Sequence, residues 1–290
     1  GVLAAIPRDL DYAFHLATYH GNQSSIADPL ADHENNALPS LTLFNGLRDF
    51  AQLRKVVYSS AGCTVAEKTF DNARATDEDA PVSLHLDSPY QISKIIGEFY
   101  GNYFFGRYGL PVVKARFQNV YGAGEVLGAG RWRGTPHTVW RNVTPTFVYR
   151  GLKGMPLTVE NNGVATRDFI YVTDIVDGLM RCGIHGEPGA VYNLASGEET
   201  SILRLAELIN DYTGNTAPIE FLPPRDWDRS GKRFGSVEKA KSQLGFECRI
   251  GIEDGLRRTV EWTRESLGFI EACIGKHAGR MGESLRAASR

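Results

Sequence analysis

The sequence predicts an α/β protein built on a parallel sheet, and three observations carry that prediction. Short apolar runs over 12–17, 55–60 and 111–117 alternate with helical stretches over 32–50 and 89–108, as strands joined by crossover helices do. The run Tyr12-Ala13-Phe14-His15-Leu16-Ala17 is continuous rather than alternating, which suits a strand covered on both faces. Residues with chemistry fall at strand ends, at 15–18, 59–61 and 117–121, where ligands of such sheets bind.

Composition sets the bounds. The chain has 290 residues, enough for one large domain or two unequal ones. Apolar content of 42% and charged content of 23% are ordinary for a soluble globular protein. A net charge of −2 offers no footprint for nucleic acid. No apolar run is long enough to span a bilayer, and Gly1 does not open a signal peptide. The four cysteines, Cys63, Cys182, Cys248 and Cys273, show no metal spacing and no disulfide framework. A cytoplasmic protein without a metal is the expectation.

In chain order, a polar segment over 18–25 follows the first strand. The helix over 32–50 contains Pro39, which marks a kink or a new start. After the strand over 55–60 comes a solvent-facing loop to 88. The next helix is capped by Ser88, takes Pro89 in its first turn and ends at Gly109 before Pro111. A glycine-rich, mobile loop is expected over 122–134, then a helix over 144–153, a strand over 156–159 and a turn at 161–163. A strand over 167–172, a helix over 173–182 and a strand over 191–195 continue the pattern. Ser201 caps a helix to 213, a strand covers 219–222, and helices cover 237–244 and 252–267. The tail from 275 is basic.

The stretch from Ser88 to Lys94 carries the chemistry. Tyr90 and Lys94 are four apart, so on a helix they share one face. A phenol titrating near ~10 is a poor base, and a neighbouring ammonium stabilises its phenolate. Ser60, at the end of a strand, supplies a hydroxyl for a proton relay. Taking a proton from an alcohol is half of its oxidation; the other half is hydride transfer to a nicotinamide. Alone, Tyr-x-x-x-Lys also describes an exposed helical pair.

The chain resembles the extended branch of the short-chain dehydrogenase/reductase family, and within it the sugar-nucleotide epimerase/dehydratase group, of the UDP-glucose 4-epimerase kind. The matching segments are 14–17, 58–61, 90–94, Arg116-Phe117-Gln118-Asn119-Val120-Tyr121-Gly122, Arg167-Asp168-Phe169-Ile170-Tyr171-Val172 and 192–195. The resemblance implies Tyr90 as acid/base, Lys94 as holder of the nicotinamide ribose and Ser60 on the reacting oxygen. His15, Ala17 and Phe117 would join Tyr90 and Lys94 around the cofactor, NAD. Asn119, Arg167, Arg225 and Asp228 would hold a nucleotide-sugar, the arginines on phosphate and Asp228 on ribose. It also implies a homodimer formed by helix pairing. In bland readings, His15 packs in the core, Asp168 and Asp174 cap elements, and Arg225 is solvated.

Two departures qualify the match. Ala61 and Gly62 follow the serines where dehydratases carry acids, which favours epimerisation over 4,6-dehydration. Ser59 and Thr64 remain fallbacks for Ser60. The glycine-rich pyrophosphate turn of the family does not occur, so Gly1 aligns about 60 residues into the family's first half. The expected fold is thus a Rossmann-type doubly wound parallel sheet lacking its first strands, with an open edge at 12–17. Residues 1–121 and 166–200 would form the cofactor domain, and 122–165 and 201–290 a smaller discontinuous α/β substrate-binding region. A nucleotide-sugar 4-epimerase, with a UDP-hexose as substrate, is the expected function. A nucleotide-sugar reductase, a 2-epimerase, or an inactive fragment that only binds a nucleotide sugar are the alternatives.

Overall fold

The computed structural model describes residues 6–65, 69–228 and 231–282. Strand β1 (Tyr12–His15) leads to short helices α1 (Asn22–Ala27) and α2 (Pro29–Asp32). A π-helical turn, His33–Ala37, precedes α3 (Leu38–Leu47). Next come β2 (Lys55–Ala61), β3 (Ala75–Thr76), α4 (Pro89–Tyr108), β4 (Val112–Phe117) and β5 (Asn119–Tyr121). The second half holds α5 (Val143–Leu152), β6 (Leu157–Glu160), β7 (Thr166–Arg167), β8 (Phe169–Tyr171), α6 (Val172–His185) and β9 (Val191–Leu194). It closes with β10 (Thr200–Ser201), α7 (Ile202–Thr213), β11 (Ile219–Leu222), β12 (Phe234–Gly235), α8 (Ile252–Glu265) and α9 (Leu267–Gly275).

The central sheet runs β1-β2-β4-β9, and every pair in it is parallel. Its register sets Val57 opposite Val113 and Ala115 opposite Tyr192. Successive side chains point to opposite faces. Val56, Tyr58 and Val112 therefore pack with Phe44, Leu47 and Phe104 of α3 and α4. Val57, Val113 and Ala115 pack with Ile175 and Leu179 of α6. Helices on both faces explain why β2 is buried without alternation. The polar residues of β4 are paired instead. Arg116 makes a bidentate contact with Glu98, and Lys114 Nζ donates to Asn102 Oδ1 and to the Gly189 carbonyl. A further core, with Tyr121, Phe147, Leu157, Leu205, Ile209 and Leu256, lies under α5, α7 and α8.

Several expectations are corrected. The helix over 32–50 is three pieces, and Pro39 lies in the first turn of α3, where its missing N–H costs nothing. The polar segment after β1 includes α1, which meets the start of α4: Ser25 Oγ accepts from the Tyr90 N–H at 3.1 Å, and Ser88 Oγ donates to Asn22 at 2.8 Å. The loop after β2 is not wholly solvent-facing. Its β3 pairs with β12, and buried Glu78 accepts from the Asn193 N–H at 2.7 Å. The loop after β5 is fastened rather than loose. Gly128, at φ +73°, leaves a Cβ no room, only 2.7 Å from the Cys273 carbonyl oxygen. His277 Nε2 contacts the Gly128 and Gly130 carbonyls at 3.0 and 3.1 Å. On β1, Phe14 is 38% exposed, so this strand is not covered on both faces. Its outer edge has no strand partner among the described residues.

The caps behave as their residues dictate. Ser88 accepts from the Gln91 N–H at 3.4 Å, and Gly109 ends α4 at φ 70°. Ser201 accepts from the Arg204 N–H at 3.0 Å. Asp168, between β7 and β8, accepts from the N–H groups of Ser196, Gly197 and Gly235 and from the Ser196 hydroxyl. It ties the end of β9 to β12, in keeping with a structural reading of that carboxylate.

Candidate active site

Beyond the carboxyl ends of β2 and β4 lies a cleft of about 710 Å³, the size of a small-molecule site. Ser60, Tyr90, Lys94, Phe117, Asn119, Arg167, Arg225 and Asp228 all line it. His15 and Ala17 do not. Ser40 donates its hydroxyl to the Asn36 carbonyl at 2.8 Å, so the 3.0 Å contact with His15 is donated by His15 Nε2. Burial, helped by the Lys94 charge, pushes the His15 pKa down to about 4, leaving a neutral core imidazole.

The cap of α4 sets Tyr90 in the first turn and Lys94 one turn later on the same face. Lys94 Nζ is 5.8 Å from the Tyr90 ring centroid and 5.5 Å from that of Tyr58. It donates to the Ser59 carbonyl at 2.8 Å. Burial pushes this ammonium down to about 8, against the pull of Asp32 and Cys63. The Tyr90 phenol is raised, first by burial, then by Cys63, Tyr58 and Asp32. Burial thus pushes the phenol in the direction opposite to the lowering that a neighbouring cation gives.

The hydroxyls at the end of β2 point inward. Ser60 donates to Glu98 Oε1 at 2.5 Å, and Ser59 donates to the His15 carbonyl at 2.9 Å. Thr64 donates to the Ala61 carbonyl at 2.8 Å and does not line the cleft. Cys63, in the 3₁₀ turn after β2, does line it. Burial raises its thiol pKa, with Arg233 and Arg167 opposing.

Arg167 is buried. Its Nη1 donates to the Thr166 and Gly231 carbonyls at 2.7 and 2.6 Å, and its Nη2 pairs with Asp228 at 3.2 Å. Burial and Arg233 push its pKa down to about 9, with Asp228 opposing. Arg225 meets Glu160 at 2.7 Å and lies over the Trp227 ring at 5.6 Å. Both arginines reach the cleft while bound to acids of this chain.

Sequence reasoning missed Cys63, His20, Arg141 and Arg233, all of which line the cleft. The search at the end of β2 was for a hydroxyl, so a thiol drew no notice. The others sit in irregular segments with no spacing to mark them. His20 stands edge-on to Tyr90, ring centroids 5.7 Å apart. Its pKa is pushed down to about 4 by burial, then by Arg141, Lys94 and Arg133.

The residues fit the nicotinamide end of a dinucleotide. Among the described residues, Lys94 Nζ has one hydrogen-bond acceptor, and an ammonium carries three donors. Two N–H groups thus remain for a ribose beside Tyr90. The described residues show no metal-binding cluster and no helix long and apolar enough to cross a membrane.

Comparison with known proteins identifies the family. Residues 2–195 match the NAD dependent epimerase/dehydratase family. A UDP-glucose 4-epimerase of Mycolicibacterium smegmatis is 32% identical over 251 residues, 87% of this chain and 75% of that protein. The Bordetella bronchiseptica enzyme WbmF, solved with NAD+ and UDP, superposes with a TM-score of 0.86 at 56% identity, covering 97% of this chain and 80% of that one. A UDP-glucose 4-epimerase from Thermotoga maritima, solved with UDP-glucose, gives 0.78 at 30% identity, covering 89% and 78%. The α/β architecture and the parallel sheet find their place here: the chain belongs to the NAD dependent epimerase/dehydratase family.

Proposed function

We propose that the protein is a nucleotide-sugar 4-epimerase acting on a UDP-linked sugar. The observation that carries this reading is one cleft holding Tyr90 and Lys94 together with Arg167, Arg225 and Asn119. NAD, held at its nicotinamide end by Lys94 and Tyr90, would supply the acceptor and donor for the hydride of C4. Tyr90, in the phenolate form that the Lys94 ammonium favours, accepts the C4 hydroxyl proton and later returns it to the 4-keto sugar. Lys94 holds the ribose and lends its charge to the phenolate as it forms. Arg167, Arg225 and Arg233 retain the diphosphate while the keto ring turns over and presents its other face. Asn119 hydrogen-bonds the sugar or its diphosphate.

Epimerisation is favoured over dehydration by the acids of the cleft. Ala61 and Gly62 follow Ser60, and of the cleft carboxylates Glu160 and Asp228 are bound to arginines. The test is incubation of the full-length protein and NAD with UDP-, dTDP-, CDP- and GDP-sugars. Isomerised product without net cofactor consumption is expected. Consumed cofactor would indicate a reductase, and loss of water a dehydratase.

A further inference from the structure

The segment between β1 and α1 touches Tyr90, and an arginine from the other half of the chain holds it there. His20 stands edge-on to Tyr90, with ring centroids 5.7 Å apart and planes at 70°, a favoured aromatic geometry. The carbonyl of the same His20 accepts from Arg133 Nη1 at 2.7 Å, across 113 positions of sequence. The Arg133 guanidinium also lies over the Tyr19 ring at 4.1 Å. Arg133 makes no ion pair among the described residues. Its charge is directed at one carbonyl and one ring face, both of which a guanidinium suits.

Both sides of this contact are fixed. Asn36, in the π-helical turn, accepts from the Tyr19 N–H at 2.7 Å and from the Thr18 hydroxyl at 2.9 Å, and donates to the Tyr19 carbonyl at 3.1 Å. Asn36 in turn donates to buried Asp32 at 2.7 Å, and Asp32 accepts from Ser93, the residue before Lys94. On the other side, the Arg133 N–H donates to Thr138 Oγ1 at 2.9 Å. Upstream of it, Leu127 is buried with Val139 and Ile270, and His277 contacts the Gly128 and Gly130 carbonyls. Tyr19 is thus held by Asn36, whereas the hydrogen-bond partner of His20 among the described residues is Arg133 alone.

His20 and Tyr90 line the cleft; Arg133 does not. Arg133 therefore acts on the cleft through His20. The backbone of Tyr90 is fixed by the cap of α4 and by Ser25, which accepts from its N–H at 3.1 Å. The direction of its ring is left to side-chain packing, with the His20 ring and Lys94 Nζ as neighbours. An acid/base works only within hydrogen-bond reach of the proton it moves, and small misplacements are costly. We propose that Arg133 is a positioning residue for the acid/base: by holding His20 it sets the direction of the Tyr90 phenol. The segment that carries Arg133 also brings His137 to the cleft, so one piece of chain shapes the wall and aims the phenol. This rests on the reading of Tyr90 as the acid/base.

Fluorine NMR on the full-length protein labelled with 3-fluorotyrosine tests it, each resonance being assigned by replacing its tyrosine with phenylalanine. In Arg133→Met the Tyr90 and Tyr19 resonances should shift. That of Tyr192, buried in the core under α6, should stay in place and report an intact fold. Arg133→Lys, which keeps a charge and a donor, should bring the Tyr90 resonance part of the way back. His20→Ala should shift the Tyr90 resonance, and adding Arg133→Met should shift it no further, as for two residues acting through one contact. Turnover on the UDP-sugar that the protein isomerises should fall about tenfold in Arg133→Met, with UDP affinity unchanged. If Arg133→Met moves Tyr192 as well, Arg133→Lys decides by the same criteria. A Tyr90 resonance that stays in place without Arg133, or that moves further in the double variant, overturns the positioning inference alone. Near-normal turnover of Tyr90→Phe overturns the acid/base reading and this inference with it.

Discussion

Ser60 donates its hydroxyl to Glu98 Oε1 at 2.5 Å, on the same carboxylate that Arg116 holds at 2.8 Å through Nε and Nη2. The serine belongs to a buried polar network that joins β2, α4 and β4. Its proton is turned away from the cleft, and Cys63 takes the neighbouring cleft position. Ser60→Ala is expected to cost about 1 kcal/mol of stability, the usual net worth of a hydrogen bond. It should reduce turnover less than Cys63→Ala does. Urea unfolding paired with a turnover assay checks both; the opposite ranking at unchanged stability would place Ser60 on the substrate.

Tyr90 stands edge-on to His20, with Lys94 one helical turn away. Tyr90→Phe in the full-length protein should lower turnover by ~10²–10⁴, the range for a lost general acid/base. Substrate affinity should hardly move, because the ring and its packing remain. Single-turnover rates and calorimetry on one preparation separate the two. Near-normal turnover removes Tyr90 from the chemistry.

Arg167 satisfies two carbonyls and Asp228 while facing the cleft. Lysine keeps the charge but loses the planar fork. Arg167→Lys should therefore weaken UDP binding by about tenfold, or about 1.4 kcal/mol. Arg225, more exposed and held by Glu160, should show a smaller loss as Arg225→Ala. UDP affinity unchanged in both variants would remove the diphosphate from this wall.

His15 titrates at about 4 in the fold against 6.5 for a free imidazole. Below 6.5 the unfolded chain binds the extra proton first, so this group's contribution to stability is present above pH 6.5. It is lost as pH falls through 4. A shift of this size is worth at most on the order of 3 kcal/mol. His20 acts in the same direction. Denaturation midpoints between pH 7 and 4 should fall, and His15→Gln should flatten that fall. An identical pH slope in the variant would dismiss the buried imidazole as its source.

Ile92, Phe99 and Tyr103 lie on one side of α4 and are 46%, 55% and 55% exposed. Leu38 of α3, which packs on α4, is also exposed. Such a stripe fits pairing with a second copy across a two-fold axis. Sedimentation of the full-length protein should give a dimer at micromolar concentration, and Phe99→Glu a monomer. A monomer in both means that the stripe faces solvent.

The sequence by itself determined the alternation of strands and helices, the caps at Ser88 and Ser201 and the pairing of Tyr90 with Lys94. These follow from local rules: side-chain period, backbone dihedrals, and the fixed geometry of residues four apart on a helix. It also marked Asn119, Arg167 and Arg225 through segments held in family order. The tertiary structure alone decided what each group faces. His15 turns to Ser40 rather than to the cleft, and Ser60 turns to Glu98, a residue 38 positions away in sequence. The glycine-rich loop is fastened by His277, 149 positions after Gly128. The surroundings of the Tyr90 phenol were decided there as well. The Tyr90–Lys94 spacing signals a cation that lowers the pKa, whereas burial, which raises it, depends on how the whole chain packs.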